Sequence, residues 1–222
     1  MPRTWFTSDL HFGHKNIIKY CGRPFLKRSP DVKCEPDSCV MVPDVEAMDE
    51  ALVENWNRVV TPEDTVWNLG DAGFCIGAQK FWPLISRLNG KHHLVLGNHD
   101  ALVRNAPQNV LVGTFASVSD GFVEIEVQGQ GIVLCHYAMR QWHHAERGVW
   151  HLFGHTHGGL RPYGKSVDVG VDNVHEILGT AAAQCRALYR PVSFEEVKAF
   201  MDAQPIGPHP MFSGFVSQGG AE

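Results

Sequence analysis

The sequence predicts an α/β fold built on two sheets. In the first half, short β-prone runs alternate with amphipathic helical segments, and each run stops at a carboxylate, amide or imidazole side chain. In the second half, strand-like runs follow one another through glycine-containing turns with little helix between them.

Residues 4–8 are apolar and end at Asp9, the pattern of a buried strand. From 44 to 60, Val45, Met48, Leu52, Trp56 and Val59 recur at helical spacing behind Asp44, a suitable N-cap. Residues 65–69 repeat the strand pattern and end at Gly70-Asp71, 78–88 read as a second helix, and 93–96 lead into Gly97-Asn98-His99-Asp100. Strand ends carrying polar residues are where α/β sheets place their sites. The runs 110–118, 121–127, 132–135 and 149–153 imply a second, more antiparallel sheet. Residues 193–201 close the chain as a helix, with Ser193 and Glu196 in capping-box spacing. Residues 1–204 are expected to form one domain, and 205–222, rich in Gly, Pro and Ser, a mobile tail.

Composition narrows the function classes. With 19 Lys+Arg against 24 Asp+Glu, the formal charge of −5 gives no chain-wide attraction to phosphate backbones. Nucleic acid is therefore not a favoured partner. There is no run of about 18 apolar residues and no basic segment followed by an apolar one at the N-terminus, so no membrane partner and a cytoplasmic location are expected. Six cysteines, irregularly spaced, are too sparse for a disulfide framework. Cys34 and Cys39 with Cys21 or Cys185 lack the paired Cys-x-x-Cys hooks of a zinc site. Thirteen histidines are the outlier.

Their positions carry the chemistry. Asp9-Leu10-His11, Gly70-Asp71, Gly97-Asn98-His99-Asp100, Cys135-His136 and Gly154-His155-Thr156-His157 all stand at predicted strand ends. Packing alone gives no reason for polar residues there. A mixed nitrogen and oxygen donor set suits Mn, Fe, Zn or Ni better than Mg or Ca, with Mn favoured. The glycines before Asp71, Asn98 and His155 are expected to provide tight turns.

In order and spelling these motifs resemble the calcineurin-like metallophosphoesterase superfamily. The run His11-Phe12-Gly13-His14-Lys15-Asn16, the stretch 168–172 and Arg190-Pro191-Val192-Ser193 are similar to its compact bacterial and phage branch. The resemblance implies a four-layer α/β/β/α sandwich with two mixed sheets and a dimetal site at the strand ends. It implies a first metal held by Asp9, His11 and His157, a second held by Asn98, His136 and His155, and Asp71 bridging the two. It also implies hydrolysis of a phosphate ester by a hydroxide held between the metals, with His99 stabilising charge or protonating the leaving oxygen and Asp100 orienting His99.

Two segments, 28–43 and 174–188, read as insertions near the site mouth. His14 is either a helix-start residue or a phosphate contact, and Arg23 either a surface ion-pair residue or a fork for phosphate. His143 and His144 fall in a polar loop and are not expected to be ligands. Few basic residues surround the motifs, so a small phosphodiester or nucleotide is the preferred substrate. A phosphomonoesterase, a nuclease or a non-catalytic interaction module are the alternatives.

Overall fold

The computed structural model describes residues 1–30, 39–181 and 184–206. In chain order the elements are β1 (Thr4–Thr7), α1 (Lys15–Tyr20), β2 (Leu26–Arg28), β3 (Met41–Pro43), α2 (Val45–Val59), β4 (Thr65–Asn68), α3 (Ala78–Ile85) and β5 (Lys91–Val95). They continue as α4 (Ala101–Arg104), α5 (Gln108–Thr114), β6 (Ser117–Ser119), β7 (Phe122–Val127), β8 (Gln130–Cys135), β9 (Trp150–Phe153), β10 (Ser166–Asp168), α6 (Val174–Ile177), β11 (Val192–Ser193) and α7 (Phe194–Asp202).

The fold is mixed α/β. One sheet has the order β11-β1-β4-β5-β6, a second β10-β9-β8-β7, and β2 pairs with β3 as a separate hairpin. In the first sheet β1, β4, β5 and β6 run parallel, as helical crossovers between strands require, and β11 is antiparallel to β1. Asp9, Asp71 and Asn98 therefore emerge at one edge.

Alternation along β1 shows how the core divides. Trp5 enters a cluster with Ile18 of α1, Met48, Leu52 and Trp56 of α2, and Phe81 of α3. Phe6, on the opposite face, joins Leu134 of β8, Leu152 of β9, Val167 of β10 and Val197 of α7. The inner faces of both sheets thus share one apolar cluster. α2 begins where the sequence places it, with the Asp44 carboxylate accepting the Ala47 N–H at 3.2 Å. α7 carries the expected capping box, with Ser193 and Glu196 bonding reciprocally.

Two expectations are corrected. Residues 110–118 are not one strand: Pro107 precedes the helix α5, and only Ser117–Ser119 pair with β5. A short apolar run does not distinguish a helix from a strand by periodicity, and here Pro107 with φ −59° launches a helix. The second sheet is also less antiparallel than expected. Only β7 and β8 form an antiparallel hairpin, whereas β8–β9 and β9–β10 are parallel. The parallel pairing brings the ends of β8 and β9, and so His136 and His155, to the same side.

Residues 31–38 of the first expected insertion and residues 207–222 of the expected tail lie outside the described residues. Among the described residues no helix is long and apolar enough to cross a membrane.

Candidate metal centre

The strand-end loops are joined to one another by backbone. The Asp9 N–H donates to the Gly70 carbonyl at 2.9 Å, His11 N–H to Asp71 O at 3.0 Å, and Gly154 N–H to His136 O at 3.0 Å. Asp9, His11, Asp71, His155 and His157 all have positive φ, between 49° and 68°. Side chains other than glycine rarely adopt this left-handed region, and such strain concentrates at functional sites.

Two of the three glycines before Asp71, Asn98 and His155 serve differently from the expected tight turns. Only Gly70 has a positive φ, 105°. A Cβ at Gly97 would collide with the Asp71 carboxylate, and one at Gly154 with the Ser8 hydroxyl while standing 2.6 Å from Asp9 Oδ2. They are small so that carboxylate and backbone can approach.

The two carboxylates are each fixed by one oxygen. Asp9 Oδ2 accepts the His155 N–H at 2.9 Å, and Asp71 Oδ1 accepts the His99 N–H at 2.8 Å. The free oxygens face histidines. Asp9 Oδ1 lies 3.8 Å from His11 Nε2 and 4.0 Å from His157 Nε2. Asp71 Oδ2 lies 3.6 Å from His11 Nε2 and 3.5 Å from His136 Nε2, between the two groups. Asn98 Oδ1 is 3.1 Å from His136 Nε2. Because His136 Nδ1 lies 2.7 Å from the Leu69 carbonyl, which only accepts, Nδ1 carries the proton and Nε2 is the available ligand.

Donor atoms of Asp9, His11 and His157, and separately of Asp71, His136 and His155, lie within 4.8 Å of one another. Ligands about 2.1 Å from a common ion stand about 3–4 Å apart, so these separations fit a divalent cation. Asp9 Oδ1 and His11 Nε2 are enclosed and have no hydrogen-bond partner among the described residues. Buried polar atoms are ordinarily paired, and a cation would pair both. The floor is closed, with Asp9, His11, Asp71 and His136 each at most 2% exposed, while Asn98 and His155 are exposed and His99 is half-buried. A site closed below and open above leaves room for a substrate, unlike a sealed structural metal site.

The surrounding residues revise several roles. Asp100 does not orient the His99 ring: its carboxylate accepts the N–H groups of Asp71, Ala72 and Gly97 at 2.8, 2.9 and 2.8 Å. A carboxylate filled by three backbone donors holds the two loops together and has no need of the imidazole. The His99 ring instead packs on Phe74, with centroids 4.1 Å apart, and its Nε2 is 4.0 Å from Asp71 Oδ2. His14 is the N-cap residue of α1 without a side-chain cap bond; it is buried, with Nδ1 3.2 Å from His11 Nδ1 and its ring edge-on to Phe74. Burial and the neighbouring His11 push its pKa down to about 4.

Arg23 serves neither as a surface ion-pair residue nor as a phosphate fork. It is 1% exposed, forked onto Asp172 at 2.8 Å through both Nε and an Nη, with the Asp9 and Leu10 carbonyls and the Met48 sulfur taking its remaining donors. Asp172 in turn lies 2.7 Å from His157 Nδ1, leaving Nε2 of His157 directed at Asp9. Burial opposes the Asp172 charge, but Arg23 and His157 hold its pKa down to about 2. For His157 burial also opposes charge, and the hydrogen bond to Asp172 with the nearby Cys21 raises it to about 10. A cation at Nε2 must displace a proton from this ring. Arg23→Ala strands a buried carboxylate, so it is expected to lower unfolding free energy by about 3–5 kcal/mol. Denaturant titration measures this, and a loss under about 1 kcal/mol would show that the pair does not hold the loop.

Asp168 plays a similar structural part, accepting the Thr156 hydroxyl at 2.5 Å and the Gly158 N–H at 3.0 Å and so bracing the His155 to His157 turn. His143 is exposed and pairs with Glu124 at 3.0 Å, away from both donor groups. In the second expected insertion, His175 and Glu176 line a cleft that also contains His157.

No family model matches the chain. An uncharacterized protein of Methanocaldococcus jannaschii is 29% identical over 203 residues, which cover 88% of this chain and 89% of that protein. Among solved structures, a protein of unknown function from Aquifex aeolicus superposes with a TM-score of 0.57 at 21% identity, over 90% of this chain and 99% of its own. That likeness shows a shared fold. A phosphoesterase from E. coli, YfcE, superposes at a TM-score of only 0.37 with 14% identity, over 76% of this chain and 78% of its own, too distant to support an argument.

Proposed function

We propose that the protein is a dimetal phosphoesterase of the calcineurin-like type, acting on a small phosphodiester or nucleotide. The observation that carries this reading is the placement of Asp71 Oδ2 within 3.6 Å of both His11 Nε2 and His136 Nε2, above a floor that holds the unpartnered Asp9 Oδ1. Asp9, His11 and His157 would hold one cation, Asn98, His136 and His155 the other, and Asp71 both. Two such ions supply a hydroxide near neutral pH and clamp phosphate oxygens.

The chain's own residues supply the rest. His99 stands outside both donor groups on the open side, where its Nε2 donates a proton to the leaving oxygen. Phe74 keeps that ring in place, and Asp100 fixes the loops that carry Asp71 and His99. The four-layer arrangement belongs to the same reading. It is supported by α1, α2 and α3 packing on one sheet and by the cluster shared between the sheets. Over the outer face of the other sheet, Trp142 and Ala145 pack on Val133.

Chelation followed by Mn²⁺ add-back, assayed on bis-p-nitrophenyl phosphate beside p-nitrophenyl phosphate, tests the function. The expected result is metal-restored hydrolysis that is faster on the diester. Faster monoester hydrolysis would reassign the substrate, and no hydrolysis of either would favour an interaction module.

A further inference from the structure

One cleft adjoins the candidate metal centre at His157, and a second shares Leu160 and Arg161 with it as a wall, on the loop that follows His157. The first, of about 540 Å³, contains His157 itself together with Arg161, Asn173, His175, Glu176 and Gln204. The second, of about 450 Å³, is bounded by Met139, Phe153, Leu160 and Tyr163, with Arg140 and Arg161 beside them. Both volumes are in the range of small-ligand sites.

Their chemistry is complementary. In the first cleft His175 Nδ1 is enclosed and has no hydrogen-bond partner among the described residues, and a donor or acceptor left in that state calls for a ligand group. Arg161 and Arg140 are exposed, and neither has a carboxylate partner among the described residues. In the second cleft Leu160 and Tyr163 keep 50% and 43% of their surface exposed, an apolar and aromatic face next to those guanidinium groups. A guanidinium matches phosphate geometry, and a tyrosine face matches a planar ring.

We infer that these clefts bind a nucleotide carrying a phosphate besides the scissile one: the extra phosphate at Arg161 and His175, and the base against Leu160 and Tyr163. This deepens the phosphoesterase reading by naming the substrate class, and the reading is needed only to say which bond is cut. Glu176, exposed on the same wall, opposes an anion.

The test is isothermal titration of the Mn²⁺-loaded chain with ADP, adenosine and inorganic phosphate, using wild type, Arg161→Gln, His175→Ala and Glu176→Gln. Arg161 is exposed, so its replacement leaves the fold intact. ADP is expected to bind wild type more tightly than adenosine or phosphate. Arg161→Gln should weaken ADP about 10-fold, the loss of one charge-assisted contact, while phosphate affinity changes by less than about twofold. His175→Ala should weaken ADP in the same direction, and Glu176→Gln should tighten it. Equal ADP affinity in wild type and Arg161→Gln, or equal losses for ADP and phosphate, would overturn the inference. An oligonucleotide binding far more tightly than ADP would replace the small nucleotide by nucleic acid. The same titrations in the His99→Gln background, which keeps its metals and loses rate, read binding apart from hydrolysis, so failure of the phosphoesterase reading appears separately, as absent rate of the wild-type chain on the chromogenic diester.

Discussion

Asp71→Asn is expected to lower diester hydrolysis by at least roughly 10²-fold and to impair both metals together. Residues that merely support a metal ligand cost about 10–100-fold when changed, and a bridging carboxylate should cost at least as much. The substitution keeps the shape but removes the charge. Asp71 Oδ1 accepts the His99 N–H, and Oδ2 stands between His11 and His136, so the neutral amide loses attraction to both cations at once. Metal content and rate should fall in parallel. A variant with full metal content and full rate would refute the bridging role.

His99→Gln should behave in the opposite way, keeping its metals and losing roughly 10²–10⁴-fold in rate, the range for a general acid. The ring lies outside both donor groups, so stoichiometry has no reason to change. If Nε2 protonates the leaving oxygen, the loss should be large for poor leaving groups and small for p-nitrophenolate, which leaves without help. An equal loss across leaving groups would instead assign His99 to stabilising phosphate charge.

The candidate site was legible in the sequence where chemistry and strand ends coincide. Asp9 and His136 follow a β-prone run directly and Asp71 and Asn98 follow one after a single glycine, and polar residues at that point have no packing purpose. What joins them was not legible. The contact of Arg23 with Asp172 spans 149 positions, and no local pattern marks either residue as a support for His157. Asp100 neighbours His99 in sequence, yet its carboxylate reaches back to the loop of Asp71 instead. Left-handed conformation at five of the acidic and histidine positions runs against the intrinsic preference of those residues, so it could not be read locally.

The fold follows the same division. Alternation of β-prone and amphipathic runs predicted the α/β arrangement of the first half, in which β1, β4 and β5 lie side by side. The run from 110 to 118 contains the end of a helix and the start of a strand and so shows neither period, and tertiary pairing with β5 decided where its strand begins. Strand direction in the second sheet depends on how the loop after His136 crosses over, which glycine-containing turns do not reveal.

The most direct measurement is elemental analysis of the wild-type chain after Mn²⁺ equilibration and removal of free ion. The geometry of the two donor groups predicts two metal ions per chain. Less than one ion per chain would contradict a dimetal centre and, with it, the proposed chemistry.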